Sequence, residues 1–471
     1  MPCPPTEWFD LMQVSLLDSR FKQIWVQVHS SLWFVPTLVI TSLMLLALGL
    51  VAIDRHLGEM LQQRWSQLFI VDAAGARSLL STIAGAMATI AGVAFSMTMV
   101  ALALASGQYT SRVMRNFMRD RGNQIVLGIF IGIFLYCLVV LGTISERPDP
   151  FVPACAVLGS ILLSLLASGA FIFFIHHIAS TIQAAEMAQA ITQETLHMVE
   201  KYFPNAPGCN MERHMHSVLD IAAWHLVPAR QWGTIQTVAE NQLLEWACAH
   251  DAIVRMERKA GQFVDIGEAL ASVAMTKPLD EDMIAELNDA YGVDAFRTLD
   301  QDPSFGVRQL VDMALKALSP GINDSTTAVV CLNHIGVILA FCARRNLQAR
   351  DRYDEHGKLR VLSIGIDFAR LTRLAFRQIA ESAEGNTEVS LRILGTIRKT
   401  GSACRRRTDC DALLHEVEIV GDIALRSAKS QHAKEQLGAE LRALKDVLKR
   451  ATLQPDNKRL ASDETSRLPR H

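Results

Sequence analysis

Apolar residues dominate the first 181 positions in long, almost unbroken runs. Four of these runs reach the roughly 20 residues a helix needs to cross a hydrocarbon core: Leu32 to Ile53, Ser78 to Ser111, Gly122 to Ile144 and Phe151 to Ile175. The next segment, FIHHIASTIQAAEMAQAITQETLHMVEKYF, holds no Gly or Pro, and Ile178, Ile182, Met187, Ile191 and Val199 recur at helical spacing. It predicts a helix that leaves the fourth run unbroken as a stalk. PNAPGC, from Pro204 to Cys209, stops it, and a helix is expected over Glu212 to Val227. From Gln231 the rhythm shortens to strand–turn units punctuated by Gly233, Gly261 and Gly267. WGTIQTVA and AIVRMERK read as strands around the short helix ENQLLEWACAHD. The pattern resembles a small β-barrel of the lipoyl or barrel-sandwich type, but the lysine such modules modify is missing, so the module is structural.

Helical periodicity then returns over Pro278–Tyr291, Gly365–Ser382, Thr387–Gly401, Asp411–Lys429 and Glu435–Leu453, with Asn346–Leu359 as a charged linker. These elements predict a mostly α membrane protein: four transmembrane helices followed by a cytosolic α-rich region containing a small β module. The expected divisions are a cytosolic segment (1–30), a four-helix transmembrane domain (31–181), a stalk and connector (182–228), the β module (229–275), a helical cytosolic domain (276–453) and a disordered tail (454–471).

Charge orients the bundle. Arg112, Arg115, Arg119 and Arg121 stand in the short gap between the second and third runs against one acid, Asp120. The positive-inside rule puts this loop in the cytoplasm, and an even number of spans then puts both termini there. The first-to-second connection, with Arg55, Arg64 and Arg77, strains the rule because it falls outside. Anchoring suffices for the arginine loop; a collar that attracts anions or anionic lipid at a pore mouth is the alternative. Formal net charge is only −2, which gives no reason to expect nucleic acid. Nine scattered cysteines without a CxxC fit a reducing compartment, and the N-terminus lacks the form of a cleavable signal.

Candidate chemistry is sparse. In the second run Thr82, Gly85, Thr89, Gly92 and Ser96 share one helical face. Small residues there serve close helix packing in lipid, or line a pore where hydroxyls replace hydration water. No acid or base lies inside a span, which argues against a proton- or sodium-driven transporter. LSPGINDSTTA is a helix–turn–helix corner in which Asn323 or Asp324 caps a helix with Ser325, Thr326 and Thr327 in its first turn. The alternative is a ligand corner of Ser319, Gly321, Asn323, Asp324, Ser325, Thr326 and Thr327. Cys209, His214 and His216 lack further ligands nearby, so neither metal nor cofactor is expected. There is no GxSxG, HExxH, P-loop or dinucleotide fingerprint, so the chain is not read as an enzyme.

Three stretches together carry a family likeness: GQYTSRVMRNFMRDRGNQIVLGIFIGIFLYCL, FIHHIASTIQ and FGVRQLVDMALKALSPGINDSTTAVVC. They resemble the bacterial integral-membrane family designated domain of unknown function 2254, over about Leu32 to Ala451. Thr110–Ser111 stands where the resemblance leads one to expect Ser-Pro, and Ser325 where it leads one to expect proline. The resemblance implies a multi-pass protein of the bacterial inner membrane and names no substrate. On the residues, the leading expectation is a homo-oligomeric channel or pore for an ion or small solute, gated by the cytosolic region. The alternative is a membrane-anchored scaffold or sensor that binds a partner or small ligand through that region.

Overall fold

The computed structural model describes residues 33–64, 72–108, 121–145, 151–181, 183–203, 223–345, 347 and 351–453. It divides into two compact units, residues 1–183 and 184–471.

The first unit is a helical bundle: α1 (Phe34–Arg64), α2 (Ala73–Gln108), α3 (Arg121–Thr143) and α4 (Ala154–Thr181). Each contains a segment long and apolar enough to cross a membrane. Helix α3 is central and packs against the other three. The reason lies partly in Gly128 and Gly132, four residues apart on one face. A Cβ on Gly128 would sit 3.0 Å from Pro36 Cα and from Val39 Cβ, and one on Gly132 would sit 2.5 Å from Leu43 Cδ1. The two glycines therefore seat α1 directly on the α3 backbone, the close approach that dispersion needs in lipid, where no hydrophobic effect drives helices together. Phe130, Ile133 and Tyr136 fill the core, and the Tyr136 hydroxyl donates to the Ala156 carbonyl at 2.7 Å.

Residues expected to form a stalk instead begin a new helix. Helix α4 ends at Thr181, and α5 (Ala184–Tyr202) belongs to the second unit. Its apolar stripe, including Met187, Ile191, Met198 and Val199, is buried there. An amphipathic stripe asks for a protein partner, and here helices of the second unit supply it.

The second unit carries two sheets. One runs β1–β5–β3–β8–β7 and the other β4–β2–β6. The strands are β1 (Trp224–Pro228), β2 (Gly233–Val238), β3 (Ile253–Met256), β4 (Phe263–Val264), β5 (Ala269–Ala274), β6 (Tyr291–Asp294), β7 (Arg352–Tyr353) and β8 (Leu359–Leu362). Helices α6 (Glu240–Ala249) and α7 (Glu281–Asp289) accompany them. All pairings are antiparallel except β3 with β8. Three expectations are corrected. The described end of the Glu212–Val227 helix is strand β1, which pairs with β5 from Trp224 to Pro228. The Pro278–Tyr291 helix stops at Asp289, and Tyr291 enters β6. The charged linker holds β7 and runs into β8 at Leu359; Arg352 pairs with Glu240, and Arg360, just past the linker, with Asp251 and Asp354.

The remaining helices are α8 (Pro303–Ala317), α9 (Ser325–Ala343), α10 (Phe368–Ser382), α11 (Thr387–Ala403), α12 (Arg407–Ser427) and α13 (Gln431–Leu453). Among the described residues α9 is a fifth helix long and apolar enough to span, one more than the four expected. It packs against α5, α8 and α11. Cys331, Leu332, Ile335, Ile338 and Leu339 are fully enclosed. A helix apolar on most sides is what a core position surrounded by other helices requires.

Candidate functional site

The outer faces of the bundle differ in chemistry. Helix α2 turns Ala76, Leu80, Ala84, Met87, Ala94 and Ala101 inward. At about 100° per residue, Thr82, Gly85, Thr89, Gly92 and Ser96 fall on the opposite side, and all five are exposed. A Cβ on Gly85 or Gly92 would meet nothing within 4 Å. Thr82 donates to the Ser78 carbonyl at 2.7 Å and Thr89 to the Gly85 carbonyl at 2.9 Å. Their hydrogens are thus satisfied within the helix, and their lone pairs face outward. Helices α1 and α4 expose a mixed set: Leu38, Leu45 and Leu48 with Thr37, Thr41, Ser42 and Gly49 on one, and Leu162, Leu165, Ile172 and Phe173 with Ser168 and Gly169 on the other. The leucines and aromatics suit acyl chains, and the α2 stripe lacks such side chains. Val93 and Val100 border it on one side and Phe95 on the other, all exposed.

Charged groups gather at one end of the bundle. The Asp54 carboxylate, almost fully buried, accepts from the Cys155 and Ala156 amides, each at 3.1 Å. An acid from α1 thereby caps the N-terminus of α4, where the helix dipole favours negative charge. Arg77 donates to the Ile144 carbonyl at 3.0 Å, just past the end of α3, and Arg55 lies 5.5 Å from the Phe151 ring centre. Two of the three arginines that strained the positive-inside reading therefore hold helix ends together. Of the opposite arginine loop, Arg112, Arg115 and Arg119 lie outside the described residues, and Arg121 is the exposed first residue of α3. Cys209, His214 and His216 also lie outside them.

The LSPGINDSTTA corner joins α8 to α9. Asn323 takes the left-handed conformation, φ 49°, which its short polar side chain tolerates. Asp324 is the N-cap: its carboxylate accepts from the Thr327 amide at 3.0 Å and the Thr327 hydroxyl at 2.5 Å. Those bonds hold its pKa below the usual carboxylate range, the hydroxyl contributing most. The Asp324 amide in turn donates to the Ala317 carbonyl at 2.8 Å, tying the corner to the end of α8. Gly321 and Asn323 are exposed, Ser319, Ser325 and Thr327 half-buried, and Thr326 exposed. Every bond here is one that capping alone requires.

A cavity of about 350 Å³ in the second unit was not anticipated. It is assembled from residues far apart in the chain: Tyr202 and Phe203 at the end of α5, Glu240 at the start of α6, Lys259 after β3, Asp302 before α8, Arg352 on β7 and Ser363 after β8. Glu240 is bound by Arg352 at 3.0 Å. Asp302 caps α8 through the Ser304 amide at 3.1 Å and accepts from Arg297 at 2.6 Å. The Lys259 ammonium donates to the Gly365 carbonyl at 2.8 Å, and burial pushes its pKa down. Among the described residues the buried Ser363 hydroxyl has no hydrogen-bond partner. No periodic motif marks these positions; isolated basic and hydroxyl residues are the only trace they leave in the sequence. Among the described residues, no group of His, Cys, Asp and Glu is placed to hold a metal ion.

Comparison with known proteins bears on the whole chain. Its relatives include the uncharacterized protein Rv1290c of Mycobacterium tuberculosis strain H37Rv and the uncharacterized protein Mb1321c of Mycobacterium bovis. Each is 28% identical over 463 residues, covering 95% of this chain and 86% of the relative. No solved structure matches the chain. The model of the family described as "Predicted membrane protein (DUF2254)" matches residues 29–399. The chain, with its bundle of long apolar helices and its second helical and β unit, belongs to that family of multi-pass membrane proteins.

Proposed function

We propose that the protein is a homo-oligomeric channel or pore of the bacterial inner membrane, with α2 at the axis and the second unit in the cytoplasm as its gate. One observation supports this reading above the others: α2 sets five hydroxyl and glycine residues in a row on the face turned away from its own bundle, whereas the exposed Thr37, Thr41, Ser42 and Gly49 of α1 and Ser168 and Gly169 of α4 are interspersed with exposed leucines. In hydrocarbon a Thr- and Gly-lined face forgoes the apolar contact that leucines make. Against other copies of itself, around a water-filled axis, the same face is well matched. A symmetric ring also explains how only a few spans per chain make a path. Permeant species of either sign, ions or small solutes, fit the uncharged stripe. Neither enzymatic chemistry nor nucleic acid enters the proposal.

The test is conductance of the purified chain in a planar bilayer under asymmetric salt. Discrete openings with a defined reversal potential are expected, and Thr89→Phe should abolish them while leaving the assembly's size unchanged. Conductance unaltered by Thr89→Phe would remove α2 from the axis. Silence from folded protein across voltage, pH and salt would transfer the argument to the membrane-anchored sensor.

A further inference from the structure

We propose that the cavity at the end of α5 binds a small organic anion, whose carboxylate or phosphate meets the Lys259 ammonium and the Ser363 hydroxyl and whose apolar body rests on Phe203, Val238 and Met256. Charge accounting around the walls carries this. Glu240 is engaged by Arg352 at 3.0 Å, and Asp302 by Arg297 and by the α8 amide it caps. Lys259 is different: among the described residues its ammonium has a carbonyl partner, Gly365, and no carboxylate within ion-pair distance. Burial of the ammonium pushes its pKa down and outweighs the attraction of Asp302 and Asp367, which act on it from beyond ion-pair distance. An incoming anion offsets the cost of that burial.

Ser363 points to the same conclusion independently. Among the described residues its hydroxyl oxygen is buried without a hydrogen-bond partner, and Ser363 itself lines the cavity. Most buried polar groups in proteins are satisfied, so an orphan on a residue that lines a cavity is one that a ligand atom can complete after a small side-chain rotation. The volume, about 350 Å³, lies in the range of small-molecule sites, which combine apolar walls with a few placed polar groups. The site stands apart from the pore reading, since binding here is measured without flux.

The experiment is a lysine footprint of the full chain in nanodiscs of zwitterionic lipid. Limiting acetylation is read by peptide mass spectrometry, with exposed Lys316 as internal reference. Phenylacetate and phenyl phosphate are the anionic probes and phenylacetamide the neutral one. At least one anion should slow acetylation of Lys259 fivefold or more relative to Lys316, while the amide leaves it unchanged. Whichever anion protects assigns the class, carboxylate or phosphate. Equilibrium dialysis of the protecting probe should then show at least tenfold weaker binding to Lys259→Gln and near-normal binding to Lys259→Arg. Protection by neither anion, or equal protection by the amide, would overturn the proposal. The footprint is read on the wild-type chain, so it decides the matter even where a variant fails to fold.

Discussion

Asp324 illustrates what a single side chain contributes. It accepts from the amide and the hydroxyl of Thr327 and so closes the first turn of α9. Asp324→Ala should lower stability by about 1 kcal/mol, the usual worth of an N-cap, read as a shift in unfolding midpoint. Because the folded carboxyl has a depressed pKa, its contribution is complete above the unfolded value of about 3.9. It fades as pH falls through the folded value. Acid titration of the wild type against Asp324→Asn should therefore show the two stabilities converging at low pH; a constant gap would refute the linkage. This residue was legible in the sequence, since Asn-Asp before Ser-Thr-Thr is a cap by composition. Lys259 and Ser363 were not. Their significance comes from what surrounds them, and the chain brings those neighbours from six separate segments.

Between elements, a two-bond ion pair joins α10 to α12. Arg377 donates two hydrogen bonds to Glu416, each at 2.9 Å, and the Glu416 side chain is only 3% exposed, against 27% for Arg377. Removing the arginine strands a buried carboxylate, whereas removing the acid leaves a cation that can reach water. Arg377→Met should cost about 3–5 kcal/mol. Glu416→Gln should cost clearly less, and the double variant should recover much of the loss; equal single costs would contradict the asymmetry. In the bundle, Gly128→Ile would drive a side chain into the α1 backbone at Pro36. Overpacking of this kind costs roughly 1–3 kcal/mol, so a lower melting midpoint and poorer yield in detergent are expected. Long helices were legible because a bilayer or a packed face imposes a period on them. Strands β7 and β8 were hidden because they are short and their basic residues are neutralised by Glu240 and Asp251 from distant segments and by Asp354 between the two strands.

For the whole molecule the open variable is sidedness. Cys248 is exposed on the second unit. In a variant retaining Cys248 alone, a membrane-impermeant maleimide should label inverted inner-membrane vesicles and spare intact spheroplasts. The reverse pattern would place the second unit outside and invert the topology read from the arginine loop. Sequence pattern conveyed the long apolar helices of the first unit and the mixed unit that follows, because the apolar character of a helix is a local property. It left α9 ambiguous. Composition cannot distinguish burial in lipid from burial among α5, α8 and α11, and only the neighbours separate the two.

The parallel pairing of β3 with β8 has a consequence for synthesis on the ribosome. Val254 lies beside Val361, roughly a hundred residues later in the chain. Until that later segment emerges, β3 has β5 on one side and an open edge on the other. Bare edges recruit foreign strands, and distant partners close slowly. Nascent chains stalled before residue 351 should therefore depend on chaperones more than chains released past residue 362.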